Sequence, residues 1–187
     1  MNPHGEFIKK EDCLLLLVDI QETLLRLCRD NERLVVNVGG LIDAFSVLDV
    51  PMIFSVHHAE KLGPFLPELT QKVRDPRVLH KVEFSCLKNP PIFRALEESG
   101  RRTLVLAGLE THICIFQTAV HALKEGYRVH VLADAVTSRG EANQEVGLRR
   151  MEKAGAVISS TEMVIFELLE RAATPEFRRV LPVLKSF

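Results

Sequence analysis

Three residues of the 187-residue chain have types and surroundings that suit acyl-transfer chemistry: Asp19, Lys81 and Cys114. Cys114 closes the segment Gly108-Leu109-Glu110-Thr111-His112-Ile113-Cys114, which leaves a strand-like run and enters a helix-like one. A cysteine in the first turn of a helix lies among unsatisfied backbone N–H groups and the positive end of the helix dipole, both of which favour its thiolate. The same N–H groups suit the oxyanion that forms when a nucleophile adds to a carbonyl. Each residue also has an ordinary structural use. A single cysteine is commonly a small buried hydrophobe, Asp19 is placed to cap a helix beginning Ile20-Gln21-Glu22, and Lys81 has the setting of a snorkelling surface lysine. The three point to chemistry only in combination.

Elements that alternate along the chain must bring them together. Cys13-Leu14-Leu15-Leu16-Leu17-Val18 is a continuous apolar run ending at Asp19, the pattern of a strand buried on both faces. Further strands are expected over Pro51 to Val56, Val78 to Val82, Thr103 to Gly108, Arg128 to Ala133 and Ala156 to Ser159. Helices are expected from about Glu32 to Leu48, Ile92 to Glu98, Ile113 to Glu125, Glu141 to Ala154, Glu162 to Glu170 and Pro175 to Leu184. Gly126 and Gly155 mark helix ends, and Pro51 and Pro91 mark element starts. Strand, crossover and strand repeated in this way imply a parallel sheet with helices on both faces, a three-layer α/β/α fold in one domain spanning 1–187. In such a sheet, sites form outside the carboxyl ends of the strands. Asp19 and the Gly108-to-Cys114 segment both fall there. The irregular stretch from His57 to Arg77, with Gly63, Pro64, Pro67 and Pro76, is positioned as a wall over that crevice.

Composition narrows the partners. Hydrophobic residues make up 47% and charged residues 26%, values that exclude a disordered or fibrous chain. Lys+Arg 24 against Asp+Glu 25 leaves a net charge of −1, which removes the broad attraction that nucleic acid or an anionic membrane needs. The arginine pairs 101–102, 149–150 and 178–179 are short and interleaved with acids. The longest apolar run is far short of the roughly 20 residues that cross a bilayer, and Met1-Asn2-Pro3-His4-Gly5 does not read as a signal peptide. A cytoplasmic protein acting on a small molecule is the expectation. The four cysteines, Cys13, Cys28, Cys86 and Cys114, form no Cys-x-x-Cys pair and suggest neither a zinc ribbon nor a disulfide framework. Cys13 and Cys28 read as packing residues. Cys86, close in sequence to Lys81, stays open.

Three segments together resemble the isochorismatase-like hydrolase family, which includes nicotinamidases and other small-amide hydrolases: Leu17-Val18-Asp19-Ile20-Gln21, Lys81-Val82-Glu83-Phe84-Ser85, and Ala107-Gly108-Leu109-Glu110-Thr111-His112-Ile113-Cys114 with Gln117-Thr118-Ala119. Val131-Leu132-Ala133-Asp134-Ala135-Val136-Thr137-Ser138-Arg139 is similar as well, so the likeness covers nearly the whole chain. It implies a six-stranded parallel sheet and a catalytic Asp19, Lys81 and Cys114. By that resemblance Asp19 takes the thiol proton and later returns it to the leaving group, Lys81 favours the charged forms, and Cys114 attacks the carbonyl to give a thioester that water hydrolyses. The family's non-proline cis peptide maps onto Leu109-Glu110 and would aim the N–H groups of Glu110 and Cys114 at the oxyanion. Homo-oligomers are common in the family.

The nucleophile position favours an amide or related C–N substrate, because isochorismate-cleaving members commonly lack this cysteine. Nicotinamidases carry a metal on Asp-x-His after the second strand; here the stretch is Ser55-Val56-His57-His58-Ala59-Glu60, without that motif. Adjacent histidines on an extended chain point apart, so neither a metal nor another cofactor is expected. His57, His58, Phe84, His112 and Phe116 are the candidates for the substrate pocket, with core packing an equal use for the phenylalanines. The likeness is greatest to the isochorismatase-domain-containing branch, where family membership specifies machinery better than substrate. Two other readings stay open: a catalytically silent binding or assembly protein with the same fold, and a vinyl-ether hydrolase using Asp19 as acid and dispensing with Cys114.

Overall fold

Six strands, β1 (Cys13–Val18), β2 (Met52–His57), β3 (Arg77–Lys81), β4 (Thr103–Leu109), β5 (Arg128–Thr137) and β6 (Val157–Ser159), form one sheet in the order β3-β2-β1-β4-β5-β6. Every pairing is parallel. The computed structural model describes residues 7–185; the opening Met1-to-Gly5 stretch lies outside them. The connecting helices are α1 (Glu22–Leu25), α2 (Asn31–Val47), α3 (Ala59–Leu62), α4 (Pro67–Thr70), α5 (Pro90–Glu98), α6 (Phe116–Lys124), α7 (Glu141–Lys153), α8 (Thr161–Leu169) and α9 (Pro175–Leu184), with a 3-10 turn at Cys86–Lys88 and a π turn at Thr111–Ile115.

The β1 run is apolar on both faces because a layer of helices covers each. Leu15 and Leu17 pack with Leu34, Val38, Ile42 and Phe45 of α2, Val164 and Leu168 of α8 and Val180 of α9. Leu14, Leu16 and Val18 face the other way, onto Ile92 and Leu96 of α5, Ala119 and Ala122 of α6 and Met151 of α7. The period of two in a strand thus divides one sequence run between two cores. The expected α/β/α sandwich with a six-stranded parallel sheet is the fold observed.

Strand order reverses between β1 and β4, since the chain winds outward through β2 and β3 and then returns to β4 on the other side of β1. A crevice opens at the carboxyl ends where such a reversal occurs. Two departures from expectation bear on it. β5 continues to Thr137 rather than ending near Ala133, because a register shift between Leu106 and Gly108 lets Gly108 and Leu109 pair with Val136 and Thr137. The stretch after His57 holds two short helices, α3 and α4. It is pinned by buried Phe65, whose ring meets Phe54 edge-on at 5.1 Å, and by Leu69.

Candidate active site

Asp19 leaves the carboxyl end of β1 in the left-handed region, φ 55°, and its side chain is fully buried. Such a backbone is unfavourable for a residue with a Cβ by about 1–2 kcal/mol and persists where neighbours enforce it. Its N–H donates to the Ser55 carbonyl at 3.0 Å, and its own carbonyl accepts from Gln21 N–H at 2.9 Å. On the other flank β4 comes unusually close. A Cβ on Gly108, φ 124°, would stand 2.1 Å from the Val18 carbonyl oxygen, so only glycine lets the two strand ends meet.

Lys81 ends β3 in register with His57 and is almost completely buried. Its ammonium donates to Asp19 Oδ2 at 2.6 Å and to the Glu83 carbonyl at 3.1 Å, and lies 3.8 Å from Cys114 Sγ. Burial works against the charged amine, but the Asp19 carboxylate beside it prevails and holds Lys81 above its ordinary range. An ion pair this deep is strongly destabilised by removal of one partner, because the other charge is left unpaired.

Cys114 sits in the π turn, in which Ile115 N–H reaches back to the Glu110 carbonyl at 3.2 Å, and it is 7% exposed. Burial, and then the Asp19 carboxylate, push the thiol well above its ordinary value, outweighing the pull of Lys81. Its surroundings therefore favour the protonated thiol, beside a lysine held in its charged form. The π turn at Thr111–Ile115 runs directly into α6, so Cys114 lies in the first turn of that helical segment, as expected; desolvation there works against the thiolate that the helix terminus would favour.

The expected cis bond at Leu109-Glu110 is also corrected. No cis peptide bond occurs among the described residues. Glu110 is extended, φ −86° and ψ 144°, and the change of direction is taken up by Gly108 before it and the wide π turn after it. The Glu110 carboxylate turns away to Arg139, accepting from Nε at 3.0 Å and from the backbone N–H at 3.1 Å.

The remaining pocket candidates separate. His57 Nδ1 faces the Lys81 ammonium at 3.5 Å, and its ring stacks on half-exposed Phe84 with centroids 5.5 Å apart. Burial and the Lys81 charge hold His57 below its ordinary value, disfavouring the charged ring. His58, at φ 44°, lines a cleft of about 330 Å³ with His80, Lys81, Val82 and Asn89. His112 is turned to Ser138 Oγ at 3.0 Å. Phe116 lies under the Arg150 guanidinium at 4.3 Å and lines a different cavity of about 320 Å³ with Ser85, Gln117 and His121. Among the described residues no group of three or more His, Cys, Asp or Glu side chains is arranged to hold a metal.

Two residues at the site carry roles that their sequence settings concealed. Gln21 is fully buried; its amide donates to the carbonyls of His57 and Gly63 at 3.0 and 2.7 Å and accepts from His57 N–H at 2.9 Å, tying the end of β2 and the following loop to β1. Ser55 donates to Asp19 Oδ1 at 2.9 Å. Its signal was a lone hydroxyl inside the apolar run Met52-Ile53-Phe54-Ser55-Val56.

A protein-family model, the Isochorismatase domain, matches residues 13–163. The chain belongs to the isochorismatase family. Among isochorismatase-family relatives, it is 33% identical over 177 residues to Isochorismatase domain-containing protein 2 of Rattus norvegicus, covering 94% of this chain and 82% of that one. It is 32% identical over 178 residues to the secreted isochorismatase effector Isc1 of Phytophthora sojae, covering 92% and 84%. Two solved structures share the fold closely. MAR1 ribonuclease from Caenorhabditis elegans superposes with TM-score 0.91 at 28% identity over 96% of this chain and 93% of that one. YcaC from Escherichia coli, described as an octameric hydrolase of unknown specificity, superposes with TM-score 0.91 at 27% identity over 96% and 90%. The isochorismatase-family fold supports a hydrolase, in line with the resemblance read from Asp19, Lys81 and Cys114.

Proposed function

We propose that the protein is a cysteine-dependent hydrolase of a small amide or related C–N compound. The observation that carries this reading is the convergence of Asp19, Lys81 and Cys114 from three separate strand ends into one buried cluster, with contacts of 2.6 and 3.8 Å around the Lys81 ammonium. As Cys114 Sγ adds to the carbonyl carbon, Asp19 takes its proton, so that a neutral resting thiol is no obstacle. Lys81 offsets the negative charge that passes between carboxylate and sulfur. The oxyanion would rest on backbone N–H groups of the turn that carries Cys114. Collapse expels the amine with the proton from Asp19 and leaves a thioester. Water then attacks, Asp19 accepts its proton, and the C–S bond breaks to release the acid and restore the thiol.

The stacked rings of His57 and Phe84 stand beside the ammonium, and His58 lines the neighbouring cleft with Lys81, a setting that suits a small, flat substrate. His112, within the π turn, and Phe116, just after it, are engaged by Ser138 and Arg150 and would act on the substrate through that turn. Four free, buried cysteines suit a reducing compartment, so we place the protein in the cytoplasm. No described helix is long and apolar enough to cross a membrane. Exposed Met163 and Phe166 on α8 offer an apolar face for a homo-oligomer.

The test is a panel of small amides given to wild type and Cys114→Ala. Turnover that falls at least ~1,000-fold in Cys114→Ala is expected, the scale of losing a covalent nucleophile. Amide hydrolysis that survives the substitution overturns the proposal, and isochorismate cleavage that survives it supports vinyl-ether chemistry instead.

A further inference from the structure

The mechanism proposed above asks Asp19 to stay ionised at rest and to accept a proton on demand, and the inference drawn here rests on that reading. Lys81 occupies Oδ2 of the carboxylate. The other oxygen, Oδ1, meets a second arrangement on the opposite side: Ser55 Oγ–H donates to it at 2.9 Å, and Cys86 S–H donates in turn to Ser55 Oγ at 3.6 Å. Ser55 and Cys86 are both fully buried, and Cys86 is fixed through its own N–H, which donates to Thr118 Oγ1 at 3.0 Å. Ser55 also holds the Asp19 backbone through its carbonyl. One residue of β2 therefore grips both the main chain and the side chain of the left-handed Asp19.

We infer that Ser55, backed by Cys86, is a positioning residue for the base, orienting the Asp19 carboxylate and favouring its charged form through a buried chain of donors. A hydrogen bond to a carboxylate stabilises the ionised state, and one in a water-excluded site does so more strongly. Cys86 suits the end of that chain because burial pushes its thiol up and keeps it a donor. The groups facing the carboxylate come from every element around it: Lys81 from β3, His57 from the end of β2, Cys86 from the 3-10 turn and Cys114 from the π turn. Cys86, in this set, and Ser55, which links it to the carboxylate, have no other part in the proposed reaction.

The test follows the pH dependence of Cys114 alkylation by iodoacetamide, read by peptide mapping, in wild type, Ser55→Ala and Ser55→Thr. Loss of the hydroxyl moves the acid limb of the profile upward by about one pH unit, which is ~10-fold in rate on that limb, and Ser55→Thr returns it to the wild-type position. A packing role alone would lower stability without moving the limb. A Ser55→Ala profile superimposable on wild type overturns the inference. If wild-type Cys114 proves no faster than the other cysteines, the proposed function fails by itself. The midpoint of the Asp19 Cγ resonance in 13C-aspartate-labelled protein then decides the inference: an upward move in Ser55→Ala supports it, and an unmoved midpoint overturns it.

Discussion

At the scale of single residues the site is a problem in burying charge. Asp19 and Lys81 neutralise one another at 2.6 Å, and Cys114 lies against the pair as a neutral thiol. Replacing Lys81 by Met strands the Asp19 carboxylate in the core and is expected to destabilise the fold by about 3–5 kcal/mol, measured by urea unfolding. The double substitution Asp19→Asn with Lys81→Met should recover a substantial part of that loss, because it removes both charges; equal destabilisation in single and double variants would show that packing, not charge, is what Lys81 supplies. Asp19, Lys81 and Cys114 were legible as a set through the family resemblance of the three segments that carry them, since position alone gave each an ordinary structural use. Ser55 and Gln21 were not. A buried hydroxyl or amide has no periodic signature, and its partners lie 36 or more residues away in the chain.

At the scale of elements, two strand ends and two turns set the geometry. Gly108 permits β4 to touch β1, and Gly108→Ala places a Cβ into the Val18 carbonyl at a positive φ. The expected cost is more than about 3 kcal/mol, with loss of turnover even in the fraction that folds, measured by unfolding and by activity per folded protein. Gln21→Ala leaves the end of β2 and the loop at Gly63 without their tie. A loss of about 1–3 kcal/mol is expected, with KM raised more than kcat lowered, since that loop borders the cleft rather than the thiol. Strand positions were readable from apolar runs, as at Cys13–Val18, which ends at Asp19, and at Thr103–Leu109, which follows Gly100. The π turn at Thr111–Ile115, the extension of β5 to Thr137 and the trans bond at Leu109-Glu110 were not. The extension of β5 follows from its register with β4, a tertiary property that local propensity does not encode.

At the scale of the whole molecule, the four free cysteines are part of the core, and they make stability depend on pH in one direction. Burial raises the thiol of Cys13 from an ordinary 9.0 to about 12 and that of Cys28 to about 11, and Cys86 and Cys114 move the same way. Lys81, held above its ordinary 10.5, adds to this. A group whose folded value is raised contributes fully below its unfolded value and loses that contribution as pH rises through the folded one. The folded chain keeps protons that the unfolded chain has given up. Stability should therefore fall steadily above about pH 9, each retained proton adding a slope of about 1.4 kcal/mol per pH unit. Urea midpoints taken from pH 7 to 11 check this, and a flat profile would mean that the thiols ionise freely in the folded state. The alternation of elements, the two-faced β1 and the parallel sheet were all legible at this scale, because both cores are written into one run of apolar residues.

The proposed hydrolysis requires that Cys114 be a nucleophile whose proton Asp19 removes. The most direct measurement is the rate of iodoacetamide labelling at each of the four cysteines of the native protein near pH 7, repeated in Asp19→Asn. Cys114 should label at least ~100-fold faster than Cys13, Cys28 and Cys86, and that advantage should vanish when the carboxylate is replaced by an amide. Equal labelling of all four, or a Cys114 rate untouched by Asp19→Asn, would contradict it.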